Sequence, residues 1–371
     1  PASQPVWWWA TIGFAVAAVP ATLLAKALFL RCSPKVPLGT HARWSWQHLQ
    51  LQVRSELVDA AGLWLSGTLF WPAWLRLAGM RIGRDCEVST ILDVLPEHAE
   101  LGGGSFLADG IYLGVPHQHQ GRVTVAASGF GERTFVGNHV VLPAGERLAD
   151  DVVLGVSTVA AAARMPAGTG WFGQPAMQLH RREVVVVDRR LTHAPGPLRY
   201  ANRVFWEALR VTLPVLPVWL GLWWFDVIAA ANPGGWMQGA AVATGATFVF
   251  AGVLALVVLV LKWLLLGRVR PGQHGLWSCW ASRWDFHYVV WQRYGRALLQ
   301  PLEGTLLLPW FLRAMGMRIG RRCVLGDGFA QVVDPDMLTI EDGATVHALF
   351  QAHSFEDRVL KIDRVRIGRG A

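Results

Sequence analysis

An aliphatic residue that returns every six positions constrains this chain more than any other feature. From Leu95 the series runs Leu101, Leu107 and Leu113, and after an interruption Phe130, Val136, Leu142, Leu148 and Leu154. A period of six fits neither the 3.6-residue turn of a helix nor the two-residue alternation of a strand. It fits a triangular β-solenoid, in which each hexad makes one short side, its aliphatic residue points into a shared core, and compact residues follow at the corner. Leu101-Gly102-Gly103-Gly104, Val136-Gly137-Asn138 and Leu154-Gly155 supply such corners. At three hexads per turn the series predicts about three coils, with Ile82-Gly83 and Val88 opening another.

The approach to the coil is written twice. Ser66 to Gly83 recurs 237 positions later as Glu303 to Gly320, and the shared residues include Gly67/Gly304, Pro72/Pro309, Arg76/Arg313 and a Gly-Met-Arg-Ile-Gly ending. Upstream, Gly39-Thr40-His41-Ala42-Arg43-Trp44-Ser45 matches Gly272-Gln273-His274-Gly275-Leu276-Trp277-Ser278. Hexad positions follow the second copy at Ile319, Leu325, Ile340, Val346 and Ile367. This is the signature of an internal duplication. Pro1 in place of an initiating Met, and a hexad opening at Ile367-Gly368 just before Ala371, read as the edges of a fragment, with the second solenoid truncated.

The chain is 53% hydrophobic and only 16% charged, too apolar for an ordinary soluble protein of 371 residues. Three stretches reach the roughly 20 apolar residues that cross a bilayer, at 6–30, 204–230 and 236–266. Many of the Trp residues, such as Trp7, Trp8, Trp9, Trp219, Trp223, Trp224 and Trp263, edge those stretches, where an indole suits the water–lipid boundary. Ala231-Asn232-Pro233-Gly234-Gly235 turns the second span into the third. Arg31, Lys35 and Arg43, then Arg199, Arg203 and Arg210, then Lys262, Arg268 and Arg270 flank the spans on one side. By the positive-inside rule both soluble parts face the cytoplasm. The net charge of +8 is scattered, with no nucleic-acid motif beside it. Cys32, Cys86, Cys279 and Cys323 form no C-x-x-C pair and predict neither a metal site nor a disulfide framework.

The expected architecture is therefore a multi-domain membrane protein of α-helical transmembrane segments and two parallel β-helix domains of hexapeptide repeats, which would be left-handed. Its parts are a transmembrane helix at 6–30, a helical interfacial lead-in at 40–80, the first β-helix at 81–190, transmembrane helices at 204–230 and 236–266, a second lead-in at 272–317, and the incomplete second β-helix at 318–371.

Between Leu113 and Phe130 the chain leaves the hexad register through Val115-Pro116-His117-Gln118-His119-Gln120-Gly121-Arg122, and in the second copy through Ala352-His353-Ser354-Phe355-Glu356-Asp357-Arg358. His117 and His353 each stand six residues before an Arg-preceded Val, Val123 or Val359, which aligns the two His residues. An imidazole, titrating near pH 6.5, suits removal of a proton at neutral pH. His353 and His117 are the candidate bases, with His119 and His347 as neighbours, and Asp93 and Asp334 are candidates to orient them or to cap a corner.

Gly173-Gln174-Pro175-Ala176, followed by His180-Arg181-Arg182, resembles the Gly-Asn-Pro-Ala exit loop of the hexapeptide acyltransferases, with Gln174 where Asn is usual. That resemblance implies a left-handed β-helix that binds coenzyme A or a phosphopantetheine arm along its coils, with a loop His as base. It also makes Gly173, Gln174, Pro175, Ala176, Arg181 and Arg182 the candidate cofactor-binding residues. The larger arrangement, with the Gly-Thr-Leu lead-in and the Gln351 to Arg358 stretch, resembles the C-terminal membrane region of the ε-poly-lysine synthetase type of nonribosomal peptide synthetase.

That likeness implies an acyl or aminoacyl transferase of the bacterial inner membrane that forms amide bonds from thioesters carried on phosphopantetheine. Its partners would be upstream adenylation and carrier domains, membrane lipid, and a small amine or growing peptide as acceptor, without metal or nucleic acid. An acetyl-CoA-dependent membrane acetyltransferase, or a non-catalytic scaffold for a synthetase, are the alternatives.

Overall fold

In the computed structural model, residues 6–180, 187–347, 350–356 and 358–371 are described. They form two compact units, one of residues 20–186 with 355–358, the other of residues 1–19, 187–354 and 359–371.

In the first of these the hexads build a three-sided parallel β-helix. Arg81–Ile82, Ala99–Leu101 and Ser128–Phe130 pair in parallel along one side. Glu87–Val88, Phe106–Leu107, Phe135–Val136, Val153–Leu154 and Gly170–Phe172 form the second, closed by the antiparallel strand Met177–Leu179. Ile91–Leu92, Ile111–Val115 and Val141–Pro143 form the third. Successive turns therefore open at Arg81, Ala99, Ser128 and, through a parallel bridge to Gly129, at Arg147.

Strand register puts like on like. Val88, Leu107, Val136 and Leu154 stack on one another, as do Ile82, Leu101 and Phe130. Leu101, Leu107, Leu113, Phe130, Val136, Leu142, Leu148 and Leu154 are all buried. Leu95, which opens the six-residue series, instead precedes the short 3₁₀ turn Pro96–His98 and packs on Val36 and Val125.

The second unit carries a shorter coil of the same kind. Arg318–Ile319, Leu338–Ile340 and Val365–Ile367 pair in parallel, as do Val324–Leu325 and Thr345–Val346. Each interruption of the hexads is a hairpin arm. His117–His119 pairs with Arg122–Val125, whose other edge takes Gly39–Ala42. His353–Glu356 and Val359–Ile362 lie in a three-stranded sheet whose far strand is Gly272–Gly275.

The helices are α1 (Val6–Cys32), α2 (Trp46–Leu65), α3 (Phe70–Ala78), α4 (Pro197–Leu209), α5 (Val215–Ala231), α6 (Trp236–Leu265), α7 (Cys279–Val290), α8 (Arg296–Leu299) and α9 (Leu307–Ala314). Three helical stretches among the described residues, Val6–Cys32, Pro197–Ala231 and Trp236–Leu265, are long and apolar enough to cross a membrane. Asn232, left-handed, caps α5 before the turn into α6, and Trp224 Nε1 donates to Ala243 O at 3.2 Å across the pair.

The middle stretch is interrupted where the sequence reads as one span. Arg210–Thr212 is a 3₁₀ turn, and Arg203, Glu207 and Arg210 are buried. Arg203 pairs with Glu207 at 2.7 Å and Arg210 with Asp285 of α7. Charged groups at the base of an apolar helix persist when protein partners satisfy them.

The lead-ins are α2 with α3, and α7 to α9. Ser45 and Ser278 cap α2 and α7 by accepting from His48 N and Ala281 N. Trp74 Nε1 donates to Leu23 O of α1 at 2.8 Å, and Trp263 Nε1 of α6 to Ala314 O of α9 at 2.9 Å. Each short amphipathic helix is thus tied to an apolar one.

The triple glycine 102–104 is a coil corner. A Cβ at Gly102 would sit 2.4 Å from the Gly131 and Glu132 backbone of the next turn, whereas one at Gly103 would meet no atom closer than 3.4 Å. Gly102→Ala is expected to cost about 1–3 kcal/mol, because the coils must part to admit the methyl group. Gly103→Ala should cost less, and denaturant unfolding of the two variants side by side checks the order.

Candidate active site

Residues from three distant segments meet in the unit that holds the second coil. Asp334 precedes the 3₁₀ turn Pro335–Met337 with a left-handed backbone (φ 55°, ψ 55°), and its carboxylate does not cap that turn. Instead Oδ1 accepts from Trp284 Nε1 of α7 at 2.8 Å, and Oδ2 lies 2.9 Å from His353 Nδ1 on the hairpin arm. The Asp334 side chain is 1% exposed and that of His353 7%. Trp284 also stands edge-on to the imidazole, ring centres 5.2 Å apart. When Nδ1–H donates to the carboxylate, the imidazole lone pair lies at Nε2, the arrangement a general base needs.

The surroundings are histidine-rich, with His287 buried and His274 half-buried. His274 sits on the outer strand of the same three-stranded sheet, stacked on Trp280 with ring centres 3.9 Å apart. Burial pushes its pKa down, partly opposed by the charge of Asp334. His287, one helical turn beyond Trp284, is pushed down to about 4 mainly by burial, and its Nε2 lies 3.1 Å from Val258 O. Lys262 and Asp336 form a buried ion pair at 2.8 Å, and Asp336 also accepts from Val269 N at 3.1 Å.

His353 and Asp334 are thus brought together; His117 and Asp93 are not. His117 is exposed on its strand, its ring 6.2 Å from that of His119. Asp93 lies beside Asp59 of α2, and no hydrogen bond or ion pair joins it to His117 among the described residues. His347 is exposed. Gly173, Gln174, Pro175 and Ala176 make the turn between Gly170–Phe172 and Met177–Leu179, at the end of the first coil. Arg181 and Arg182 lie outside the described residues. Among the described residues no group of three His, Cys, Asp or Glu is placed to hold a metal ion.

Sequence reasoning missed Trp284, His274 and His287. Trp284 carried one faint signal: counted from the matched Ser45 and Ser278 it is the sixth residue on, where the first copy has Leu51, in helices that otherwise share no residues.

Fold and site together define a β-helix protein with helices able to cross a membrane and a buried histidine–aspartate pair beside its second coil. No family model matches the chain. It is 32% identical over 347 residues to the delta-poly-L-ornithine synthetase of Acinetobacter baumannii (strain AB307-0294), covering 90% of this chain and 26% of that protein. The relative is a poly-amino-acid synthetase, the type of protein that the lead-in and arm motifs resemble, and this chain spans about a quarter of its length. Solved structures that resemble the chain include a maltose O-acetyltransferase from Clostridium difficile 630, 14% identical, with a TM-score of 0.27 over 39% of this chain and 94% of that one. Another is a hexapeptide-repeat acetyltransferase from Vibrio cholerae, 11% identical, with a TM-score of 0.29 over 39% of this chain and 97% of that one. Likenesses of this size carry no argument about function.

Trp284→Phe keeps an aromatic side chain, though a smaller one, and removes the indole N–H that Asp334 Oδ1 accepts. A loss of about 1–3 kcal/mol is expected in urea unfolding. Asp59 offers a pH-dependent test. Its pKa is raised to about 7 by burial first, then by the charges of Asp93 and Glu56. Between 3.8 and about 7 the folded chain holds a proton there that the unfolded chain has lost, so Asp59 contributes stability that is full below pH 3.8 and lost as pH rises through 7. Asp59→Asn should therefore raise Tm at pH 8, and the gain should vanish below pH 4.

Proposed function

We propose that this chain is the membrane-embedded acyl or aminoacyl transferase region of a nonribosomal poly-amino-acid synthetase, forming amide bonds from carrier-bound thioesters. The observation that carries the reading is the 2.9 Å contact between His353 Nδ1 and the buried Asp334 carboxylate, in a chain similar to part of a poly-amino-acid synthetase. A thioester substrate is already activated, so the protein has only to place an amine and take its proton.

In this reading the neutral amine nitrogen attacks the thioester carbonyl and a C–N bond forms. His353 Nε2 takes the proton that the nitrogen sheds. The C–S bond then breaks, and the sulfur leaves with the proton that the imidazolium returns to it. The Asp334 carboxylate holds the ring in the required tautomer and faces its positive charge, and Trp284 holds the carboxylate.

Phosphopantetheine supplies the thiol on which the acyl group is carried. A phosphodiester on a thin arm needs cations beside an open groove. Arg318 and Arg369 line one of about 600 Å³ in the same unit, whose lining also holds Glu341 and Asp342, and these two guanidinium groups are the ones that would meet the phosphodiester. Adenylation and carrier domains of the same synthetase would load the thioester, and a growing peptide or small amine would accept the acyl group.

The basic clusters at Arg31, Lys35 and Arg43, at Arg199, Arg203 and Arg210, and at Lys262, Arg268 and Arg270 support a bacterial inner membrane location with both coils in the cytoplasm. The exposed Leu307 and Trp310 of α9, and Phe70 and Leu77 of α3, then meet the lipid interface. Duplication of one unit, each a left-handed coil with its own lead-in, accounts for the matched lead-ins and arms.

The test is a single-turnover transfer from a precharged carrier to a soluble amine, using the full-length membrane-inserted protein and mass spectrometry of the amide. His353→Ala should slow the transfer about 10²- to 10⁴-fold, and Asp334→Asn should slow it less. An unchanged rate in inserted, carrier-loaded His353→Ala protein would overturn the reading.

A further inference from the structure

The backbone around the two arms allows position-by-position comparison. Gly39–Ala42 and Gly272–Gly275 pair antiparallel with the second strand of each arm, Ala42 facing Arg122 and Gly275 facing Val359. Arg122 and Val359 are therefore equivalent, each standing three positions after the last residue of the preceding strand, His119 or Glu356. Counting back along the chain from those two residues, His353 occupies the place of Pro116, and His117 that of Ser354.

Two further anchors agree. The 3₁₀ turns Pro96–His98 and Pro335–Met337 each lead into a strand paired in parallel with the first strand of its coil, so Leu95 stands where Asp334 does. Glu97 and Asp336 match as well, because they accept from Val36 N and Val269 N, each three residues before the matched Gly39 or Gly272. The helix caps Ser45 and Ser278 bring Leu51 to the place of Trp284.

From this juxtaposition we propose that the chain has one acyl-transfer centre, at His353 and Asp334, and that the matching place in the first unit, filled by Leu51, Leu95 and Pro116, is an apolar core without a base. The inference rests on the reading of His353 given above.

All three polar members of the site are exchanged for apolar ones together. Leu95 is buried in one cluster with Val36 and Val125, against which Leu51 packs, and Pro116 is buried as well. No member of that set accepts a proton or orients an imidazole. His117 is one residue along a strand from the matching position, and a step of one turns a side chain to the opposite face. It is accordingly exposed, as is His119 two residues on. Asp93 is two residues short of the matching position and lies beside Asp59; its own burial first, and then the charge of Glu56, raise its pKa.

The experiment compares three variants of the full-length membrane protein in the single-turnover assay: His353→Ala, His117→Ala and the double variant His117→Ala/His119→Ala. The expected result is a loss of about 10²-fold or more for the first and wild-type rates for the other two. The His117 variants should also keep the wild-type dependence of rate on pH. If the His117 variants lose as much as His353→Ala, the single-centre inference falls and the assignment of His353 stands. If His353→Ala keeps the wild-type rate, the assignment of the base falls and the inference with it. Circular dichroism and size-exclusion elution of each variant in detergent separate loss of the base from loss of the fold.

Discussion

A strand of two residues makes too few hydrogen bonds to hold itself, so the coil exists because one aliphatic side chain per side lies on its counterpart in the next turn. Leu107 between Val88 and Val136, and Leu101 between Ile82 and Phe130, are such contacts. The stacking fixes the backbone at every corner to the spacing of neighbouring strands, and that spacing is what makes Gly102 intolerant of a Cβ. It also leaves little freedom inside the coil for chemistry. Chemistry-bearing residues are found where the chain leaves the hexad register: on the arms and on the short 3₁₀ turns that break the sides.

The cost of burying a carboxylate governs the second coil's surroundings. Two acidic side chains lie inside the protein two residues apart, and each is met by donors from other elements. Asp334 has Trp284 and His353; Asp336 has Lys262 and Val269 N. In the first unit Glu97 is met by Arg54, whose guanidinium also donates to Leu30 O and Ser33 Oγ. Removing one partner from such a set leaves an uncompensated charge in a low dielectric. The partners come from segments far apart in sequence, so the site is complete only after helix, coil and arm have docked within their unit.

The period of six was legible because it needs only residue type. The buried positions at 101, 107, 113, 130, 136, 142, 148 and 154 follow from it, and Ile82, Val88 and Ile91 complete a turn before them. Leu95 fits the period but packs outside the stacks, because a hydrophobic side chain at the right interval does not say which apolar cluster it joins. His353 and Asp334 were legible as residue types suited to proton transfer. Trp284 was hidden because an indole in an apolar lead-in helix reads as packing or interface. The pairing of His117 with His353 turned on a single residue. The Arg-Val step aligns them, whereas the register of Gly39–Ala42 against Arg122–Val125 shifts the match by one, and only backbone hydrogen bonds carry that information.

The buried ion pair ties the site to a helix able to cross a membrane. Lys262 is in the last turn of α6, and Asp336 sits in the 3₁₀ turn that Asp334 opens. Val269, four residues past the end of α6, donates to the same carboxylate, so the helix end and the chain leaving it are both fastened to the turn. A Lys at the end of an apolar helix would ordinarily extend its amine toward water. Here it is 1% exposed and turned inward, and that conformation is favourable only while the Asp336 carboxylate compensates its charge. The ion pair therefore fixes the 3₁₀ turn, and Asp334 at its start, to the end of α6.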